Sequence, residues 1–135
     1  MTHAGSTCRA QGNVRAMSEN SRRYIEALYI LDAVAKRVPS DAWDNQTCCS
    51  DWTAREVAGH ASWVVRSVGA TTGAFDQPQP RPESEVAGDD PAATVSAAVA
   101  ATHAALDTQG ALQLVAATPF GEMSVDTFIG TIWVD

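Results

Sequence analysis

The feature that most constrains the fold is a complete helix-start signal at residues 52–57. Thr53 is a favoured N-cap residue, and Glu56, three positions later, completes a capping box. Trp52 and Val57 stand at the two positions of a hydrophobic staple, which fixes the angle between the preceding chain and the helix. The sequence therefore predicts a helix that begins at Thr53 and leads into a hydrophobic core.

This predicted helix continues to about Gly73 and carries one histidine on its apolar side. Residues three and four positions apart share a helix face, and one such face is formed by Val57, His60, Ala61, Val64 and Val68. A lone histidine in that position is more often a hydrogen-bonded core residue than a ligand. Neutral imidazole is also the commonest metal ligand, however, and helix bundles often hold metals in their interior. Position alone leaves both interpretations of His60 open.

Two long helices on either side of this one are predicted from the same periodicity. The first runs from about Ser18 to Val38, before Pro39, and the third starts at an Asp90 cap and ends at Gly110. Their inward positions are Tyr24, Ala27, Leu28, Leu31, Val34, Ala35 and Val38 in the first helix and Val95, Val99, Thr102 and Leu106 in the third. The chain is therefore expected to be mostly helical.

A fourth helix is expected after a short extended segment and turn at residues 111–121. Ser124 is its predicted cap, and its apolar side is formed by Phe128, Ile129, Ile132 and Trp133. The helix stops at Asp135, where the side chain and the terminal carboxylate put two negative charges at the helix end that disfavours them. This ending predicts a chain that is truncated relative to a longer ancestor.

Two segments are expected to lie outside the helical core. Residues 1–17 are polar and basic, so we predict a disordered extension before a domain at 18–135, with Met17 as a candidate start of the folded unit. An Arg-rich beginning can also imitate an organelle transit peptide. Residues 76–90 hold three prolines and then four acidic residues, Glu83, Glu85, Asp89 and Asp90. This composition predicts an exposed linker.

Composition restricts the functions that the chain can have. A length of 135 residues predicts one domain, and a formal net charge of −7 argues against nucleic-acid and anionic-membrane partners, which need a basic surface. No apolar run approaches the roughly 20 residues of a membrane span. The three cysteines, Cys8, Cys48 and Cys49, make no disulfide framework and indicate a reducing cytoplasm. Cys49 precedes a helix start, but with no evident base nearby it is predicted to be a small hydrophobe rather than a nucleophile.

Few residues besides His60 could bind a metal. Asp135 lies near the face of Ile132 and could project a carboxylate inward. His103 lies on the flank of the third helix, and His3 lies in the N-terminal extension. None of them forms a recognised ligand spacing, and no catalytic residue can be named.

The residues Trp43 and Cys49–His60 carry a resemblance to a known family. The spacing Trp-Thr-x-x-x-Val-x-x-His resembles the second-helix signature of the DinB-like superfamily. Within it, the chain is similar to the actinobacterial branch that contains mycothiol-dependent maleylpyruvate isomerase and metal-binding relatives. The turn at residues 118–123 is similar to that branch as well, and the likeness spans about Tyr24 to Asp135. The resemblance implies an all-α, DinB-like up-down four-helix bundle.

The resemblance also implies a metal site. In such families a divalent metal, usually zinc, is held by this histidine together with an acidic residue and a second histidine on the fourth helix. His60 matches the first ligand and Asp135 the acidic ligand, with nickel as an alternative metal. The second histidine would lie one helical turn beyond Asp135 and is absent from the sequence, which implies a weakened or inactive site. A complete site would bind a thiol such as mycothiol, and the thiolate would attack an electrophilic carbon.

The residues and the resemblance together support three hypotheses. The first is a metal-binding domain related to thiol-dependent isomerases and thiol transferases, with a small-molecule thiol or electrophile as partner. The second is a non-catalytic helical interaction module, in which the exposed apolar edge of the short fourth helix is covered by a partner protein or a second copy. The third is a homodimer in which the partner lends the missing metal ligand. Metal analysis separates these hypotheses.

Overall fold

The structure, a computed structural model, describes residues 17–132. Its elements are α1 (Glu19–Lys36), α2 (Ala54–Ala70), the short α3 (Glu83–Ala87), α4 (Pro91–Asp107), a 3-10 helix (Ala111–Gln113), β1 (Val115–Thr118), β2 (Gly121–Ser124) and α5 (Val125–Ile132). The all-α bundle with a short extended segment is thereby confirmed. None of the helices in this part of the chain is long and apolar enough to cross a membrane. Some predictions concern residues outside this range. They are those for His3, Cys8 and the rest of the N-terminal extension up to residue 16, and those for Trp133 and Asp135.

Helix α4 is central to the packing. It contacts α1, α2, α3 and the 3-10 helix, whereas α5 packs against α1 and the hairpin. The main core lies among α1, α2 and α4 and is formed by Leu28, Ala35, Trp43, Ala58, Val65, Val95, Ala98 and Val99. A second cluster seats α5 on the bundle and is formed by Val68, Leu106, Val125, Phe128 and Ile129. All four predicted inward positions of α4 are buried.

The helix starts predicted from the sequence are confirmed. The Thr53 hydroxyl accepts from the Glu56 backbone N–H, and the Glu56 carboxylate accepts from the Thr53 N–H at 2.7 Å, which is a complete capping box. Asp90 caps α4 through the Ala93 N–H at 3.1 Å. Ser124 accepts from the Thr127 N–H at 3.1 Å, as its predicted role requires.

The inward face of α1 differs from the apolar pattern. Val34 is 58% exposed and Ala27 is exposed, whereas Ser21 and Asp32 are buried. Asp32 can be buried because Lys36 donates to it at 2.8 Å and the Ser96 hydroxyl of α4 donates to its other oxygen. One hydrogen bond within α1 and one across the α1–α4 contact therefore allow Asp32 to be buried, which hydropathy alone does not predict.

The inward face of α2 is also rotated from the prediction. Val64 is 39% exposed and His60 is half-buried, while Val68 is buried as expected. The buried face consists of Ala58, Gly59, Ser62, Val65, Val68, Gly69 and Ala70. Small residues dominate it because α3 and α4 approach α2 closely. A Cβ atom at position 69, for example, would lie 2.6 Å from the Thr102 hydroxyl.

The prediction of an exposed linker at residues 76–90 is wrong for its second half. Helix α3 forms there, and Ala87 is fully buried. The Thr94 hydroxyl donates to the Ala87 carbonyl at 2.7 Å, and Gly88 ends the helix with φ +68°. The segment therefore packs onto the bundle despite its prolines and acidic residues.

The extended segment before α5 is an antiparallel hairpin. Val115 pairs with Ser124 and Thr118 with Gly121, so residues 119 and 120 form the turn. Gly121 has φ +105°, a conformation that glycine adopts without strain. The extended segment and turn predicted here are confirmed, and the hairpin leads directly into α5.

Candidate functional site

His60 lies at the edge of the bundle, where α2 meets α3. Its side chain is 44% exposed, so the interpretation as a core histidine is wrong. The imidazole ring lies against the ring of Trp52, with the ring centroids 4.7 Å apart. On another side, a Glu83 carboxylate oxygen lies 3.9 Å from the His60 Nδ1 atom. The imidazole is thus flanked by an aromatic ring and a carboxylate and remains open to solvent.

Trp52 is positioned by the loop that precedes α2. Its carbonyl oxygen accepts from the Thr47 hydroxyl at 2.8 Å and from the Gln46 side-chain amide at 3.1 Å. The Thr47 backbone N–H donates to the same oxygen at 3.3 Å. These three bonds hold the loop immediately before the Thr53 cap, which places the indole ring next to the first turns of α2.

Glu83 is positioned by direct contact between α2 and α3. The Glu83 carbonyl oxygen lies 1.9 Å from the point where a Cβ atom at position 59 would stand. Only glycine leaves room for this approach, and Gly59 immediately precedes His60. The glycine therefore sets the distance between the helix that carries the imidazole and the helix that carries the carboxylate.

Arg55, in the first turn of α2, binds both the loop before α2 and the end of α3. Its Nε atom donates to Asp44 in the preceding loop at 2.9 Å, and its Nη1 atom donates to the Gly88 carbonyl at the end of α3. The guanidinium holds the pKa of Asp44 below its ordinary value through this hydrogen bond and through charge attraction. The carboxylate in turn raises the pKa of Arg55.

A cavity of about 180 Å³ opens beside His60. It is lined by Gly59, His60, Trp63, Pro80, Arg81, Glu83 and Val86. The indole N–H of Trp63 is buried and has no hydrogen-bond partner among residues 17–132. The residues that line the cavity therefore include a histidine, a glutamate, an arginine and a tryptophan, which suits a small polar or ionic ligand.

A second cavity, of about 300 Å³, is lined by fewer groups that could bind or react with a ligand. Its lining comes from the segment after α2, the end of α4 and the start of the hairpin region: Thr72, Gly73, Ala74, Ala105, Thr108, Gln109, Gly110, Ala111 and Leu114. No ionisable side chain is among them. The His60 cavity is the stronger candidate for a functional site.

Within residues 17–132, the other predicted donors do not line the His60 cavity. His103 lies on the flank of α4, as expected, and its Nδ1 atom lies 2.6 Å from the Tyr29 hydroxyl of α1. Cys48 and Cys49 are exposed free thiols in the loop before α2. Within residues 17–132, no three His, Cys, Asp or Glu side chains are grouped to hold a metal ion. Because Asp135 lies outside these residues, its role and that of His60 as ligands stay predictions.

Glu83 is a neighbour of His60 that the sequence did not predict. Two local signals for α3 were present, since Pro82 precedes its first residue and Gly88 follows its last. The proline-rich context obscured these signals. Periodicity could not reveal the contact itself, because it depends on the absence of a side chain at Gly59.

Comparison with known families matches residues 26–134 to the mycothiol maleylpyruvate isomerase N-terminal domain. The matched range includes His60, Glu83 and the whole cavity lining. The resemblance recognised in the sequence is thereby confirmed. No curated protein and no solved structure matches the chain.

Proposed function

The chain belongs to the mycothiol maleylpyruvate isomerase N-terminal domain family, and from this membership we propose that it is a metal-binding domain in which His60 is a ligand. It is a DinB-like domain related to mycothiol-dependent isomerases. Zinc is the first candidate for the metal and nickel the second. The observation that carries the proposal is the half-exposed His60 imidazole at the mouth of a polar cavity.

The chemistry of the site fits a borderline divalent cation. An imidazole nitrogen is a ligand type that zinc prefers, and the Glu83 carboxylate oxygen 3.9 Å from Nδ1 places a negative charge beside the ring. Trp52 restrains the imidazole ring, which lowers the entropy that metal binding would otherwise cost. The cavity of about 180 Å³ leaves space for a ligand beside the metal.

Asp135 is the second ligand that the family resemblance assigns. A polypeptide of these 135 residues therefore supplies His60 and Asp135, whereas the family site uses three donors. Zinc sites in proteins ordinarily have three or four protein ligands, so we propose His60 and Asp135 as two members of the ligand set rather than the whole of it.

The proposed reaction class is thiol-dependent isomerisation or thiol transfer. A bound metal with an open position lowers the pKa of a coordinated thiol or water. Arg81 adds a positive charge to the cavity lining and would attract an anionic electrophile. The cavity size suits the reacting groups of a thiol and its electrophile rather than the whole of a large molecule.

Metal analysis of the untagged 135-residue protein tests the proposal. We expect zinc or nickel to bind to the wild type at saturating metal, and His60→Ala to lose that metal. His103→Ala is the matched control, because His103 lies on another helix beside Tyr29, and it should retain the metal. Absence of bound metal in the wild type, or equal binding by His60→Ala, would show that the proposal is wrong.

An interaction module remains the alternative function, and one surface favours it. Ile30 and Val34 lie one turn apart on α1 and are 65% and 58% exposed. Such a surface could bind a second copy of the chain, which could also lend a metal ligand. Analytical ultracentrifugation tests this alternative, since a dimer that dissociates in Ile30→Asp would support it. A monomeric wild type at high concentration would exclude the homodimer.

A further inference from the structure

We propose that Glu83 is a positioning residue for His60. The Glu83 carboxylate holds the imidazole in the Nδ1–H form, so that Nε2 is the nitrogen that binds the metal. The inference rests on the proposed function for the metal itself. Its starting point is the 3.9 Å separation between the Glu83 Oε1 atom and the His60 Nδ1 atom. At that distance the two atoms are not hydrogen-bonded, so the proposed contact requires the Glu83 side chain to approach the ring by about 1 Å.

The carboxylate selects one tautomer because an ionised carboxylate can only accept a hydrogen bond. Neutral imidazole has one N–H and one nitrogen with a free lone pair, and only the latter can bind a metal. With the proton on Nδ1 facing Glu83, the lone pair is on Nε2. Carboxylates that orient metal-binding histidines in this way are common around zinc.

The backbone that carries this carboxylate is held against α2. Glu83 is the first residue of α3, and its carbonyl group packs directly on Gly59. Arg55 binds the Gly88 carbonyl at the other end of the same short helix. The Glu83 backbone therefore cannot move away from α2 without breaking contacts at both ends of α3.

The geometry favours orientation over direct ligation by Glu83. The two ring nitrogens lie on different edges of the imidazole, and Glu83 faces the Nδ1 edge. A metal on Nε2 stands about 2 Å beyond that nitrogen, away from the carboxylate. The Glu83 carboxylate would have to leave Nδ1 in order to become a ligand.

Nitrogen-15 NMR of the metal-free protein at alkaline pH tests the tautomer. We expect the Nδ1–H form in the wild type and in Glu83→Gln, whose amide oxygen can still accept the hydrogen bond. Glu83→Ala should shift His60 towards the Nε2–H form that free histidine favours. Glu85→Ala, an exposed change on the same helix, is the control and should have no effect. An Nε2–H form in the wild type, or one unaffected by Glu83→Ala, overturns the proposal.

Zinc affinity, measured by chelator competition, gives the second readout. Glu83→Ala should weaken binding about 10- to 100-fold, and Glu83→Gln should weaken it less. If Glu83→Gln loses as much affinity as Glu83→Ala and the cobalt(II) spectrum changes, Glu83 is a ligand and the positioning role is wrong. If the wild type binds no zinc, the proposed function fails, while the tautomer measurement still decides the role of Glu83. Thermal unfolding of each variant verifies that the fold is retained.

Discussion

The carbonyl oxygen of Glu83 lies 1.9 Å from the point that a Cβ atom at position 59 would occupy. Helices α2 and α3 are thus in backbone contact beside His60. The neighbouring Ala87 nitrogen lies 3.2 Å from the same point, so the obstruction is backbone rather than a mobile side chain. Any side chain at position 59 must push α3 outward and carry Glu83 with it.

Gly59→Ala should therefore destabilise the protein and disturb the site. We expect a loss of about 1–3 kcal/mol in the free energy of unfolding, as is usual for overpacking. Urea denaturation measures this loss, and the NMR signals of the His60 ring report the displacement of Glu83. Gly130→Ala is the matched control, since the three atoms nearest to its new Cβ all belong to the Asn20 side chain rather than to backbone. Equal stability of Gly59→Ala and the wild type would contradict the described contact.

The capping box at the start of α2 should contribute measurably to stability. Thr53→Ala removes the acceptor of the Glu56 N–H and should lower the free energy of unfolding by about 1 kcal/mol. Thr53→Ser keeps a hydroxyl at the cap and should retain most of the stability. Chemical denaturation of both variants measures the difference. Identical losses in the two variants would assign the effect to the threonine methyl group instead of the cap.

Local chemistry was enough to predict where most elements begin. Thr53, Asp90 and Ser124 cap the helices that they were expected to cap, and Gly121 lies at the turn of the hairpin. These signals can be read from sequence because each depends on residues within four positions of one another. The same locality explains why the all-α class was predicted correctly.

Burial and long-range contacts could not be predicted in the same way. Ser62 and Asp32 are buried although both are polar, and Val34 is exposed although it is apolar. Ser96 of the facing helix donates a hydrogen bond to Asp32, whereas the Ser62 hydroxyl is buried with no hydrogen-bond partner among residues 17–132. The site shows the same difference between local and long-range signals. The capped helix start pointed to His60, whereas Glu83 lies 23 positions further along the chain.

Arg55 should contribute more to the free energy of unfolding than its ion pair with Asp44 alone contributes. Arg55→Lys cannot reach Asp44 and the Gly88 carbonyl together, because a single ammonium lacks the span of a guanidinium. We expect Arg55→Lys to destabilise the protein more than Asp44→Asn, which removes only the ion pair. Denaturation at low and high salt measures both effects. The Asp44→Asn effect should shrink with salt because the Asp44 side chain is 77% exposed. A reversed order would show that the Gly88 bond has little effect.

Asp32 should make stability depend on acid pH. Lys36 and Ser96 donate hydrogen bonds to the carboxylate and lower its pKa in the folded protein below the ordinary value of 3.8. The resulting stabilisation is fully present well above pH 3.8 and is lost as the pH falls through the lower folded pKa. Asp32→Asn should therefore be destabilising near neutral pH, and the difference from wild type should diminish in acid. Chemical denaturation of both proteins from neutral to acid pH measures this difference in the free energy of unfolding.

The matched control for that measurement is Asp41→Asn, in the exposed loop after α1. It should change stability little at any pH in the series. A constant difference between Asp32→Asn and the wild type at all pH values would contradict ionisation of Asp32 as the cause.

The central position of α4 has a consequence for how the molecule opens. Between Pro91 and Leu106 the helix carries no Asp, Glu, Lys or Arg, and it contacts α1, α2, α3 and the 3-10 helix. Detaching α4 would expose the apolar faces of its neighbours at the same time, so its amide hydrogens should exchange with solvent only when the whole bundle unfolds. Helix α3, with five residues, can open alone and should exchange much faster. The flank of the cavity that carries Glu83 can then loosen while the wall formed by α2 stays intact.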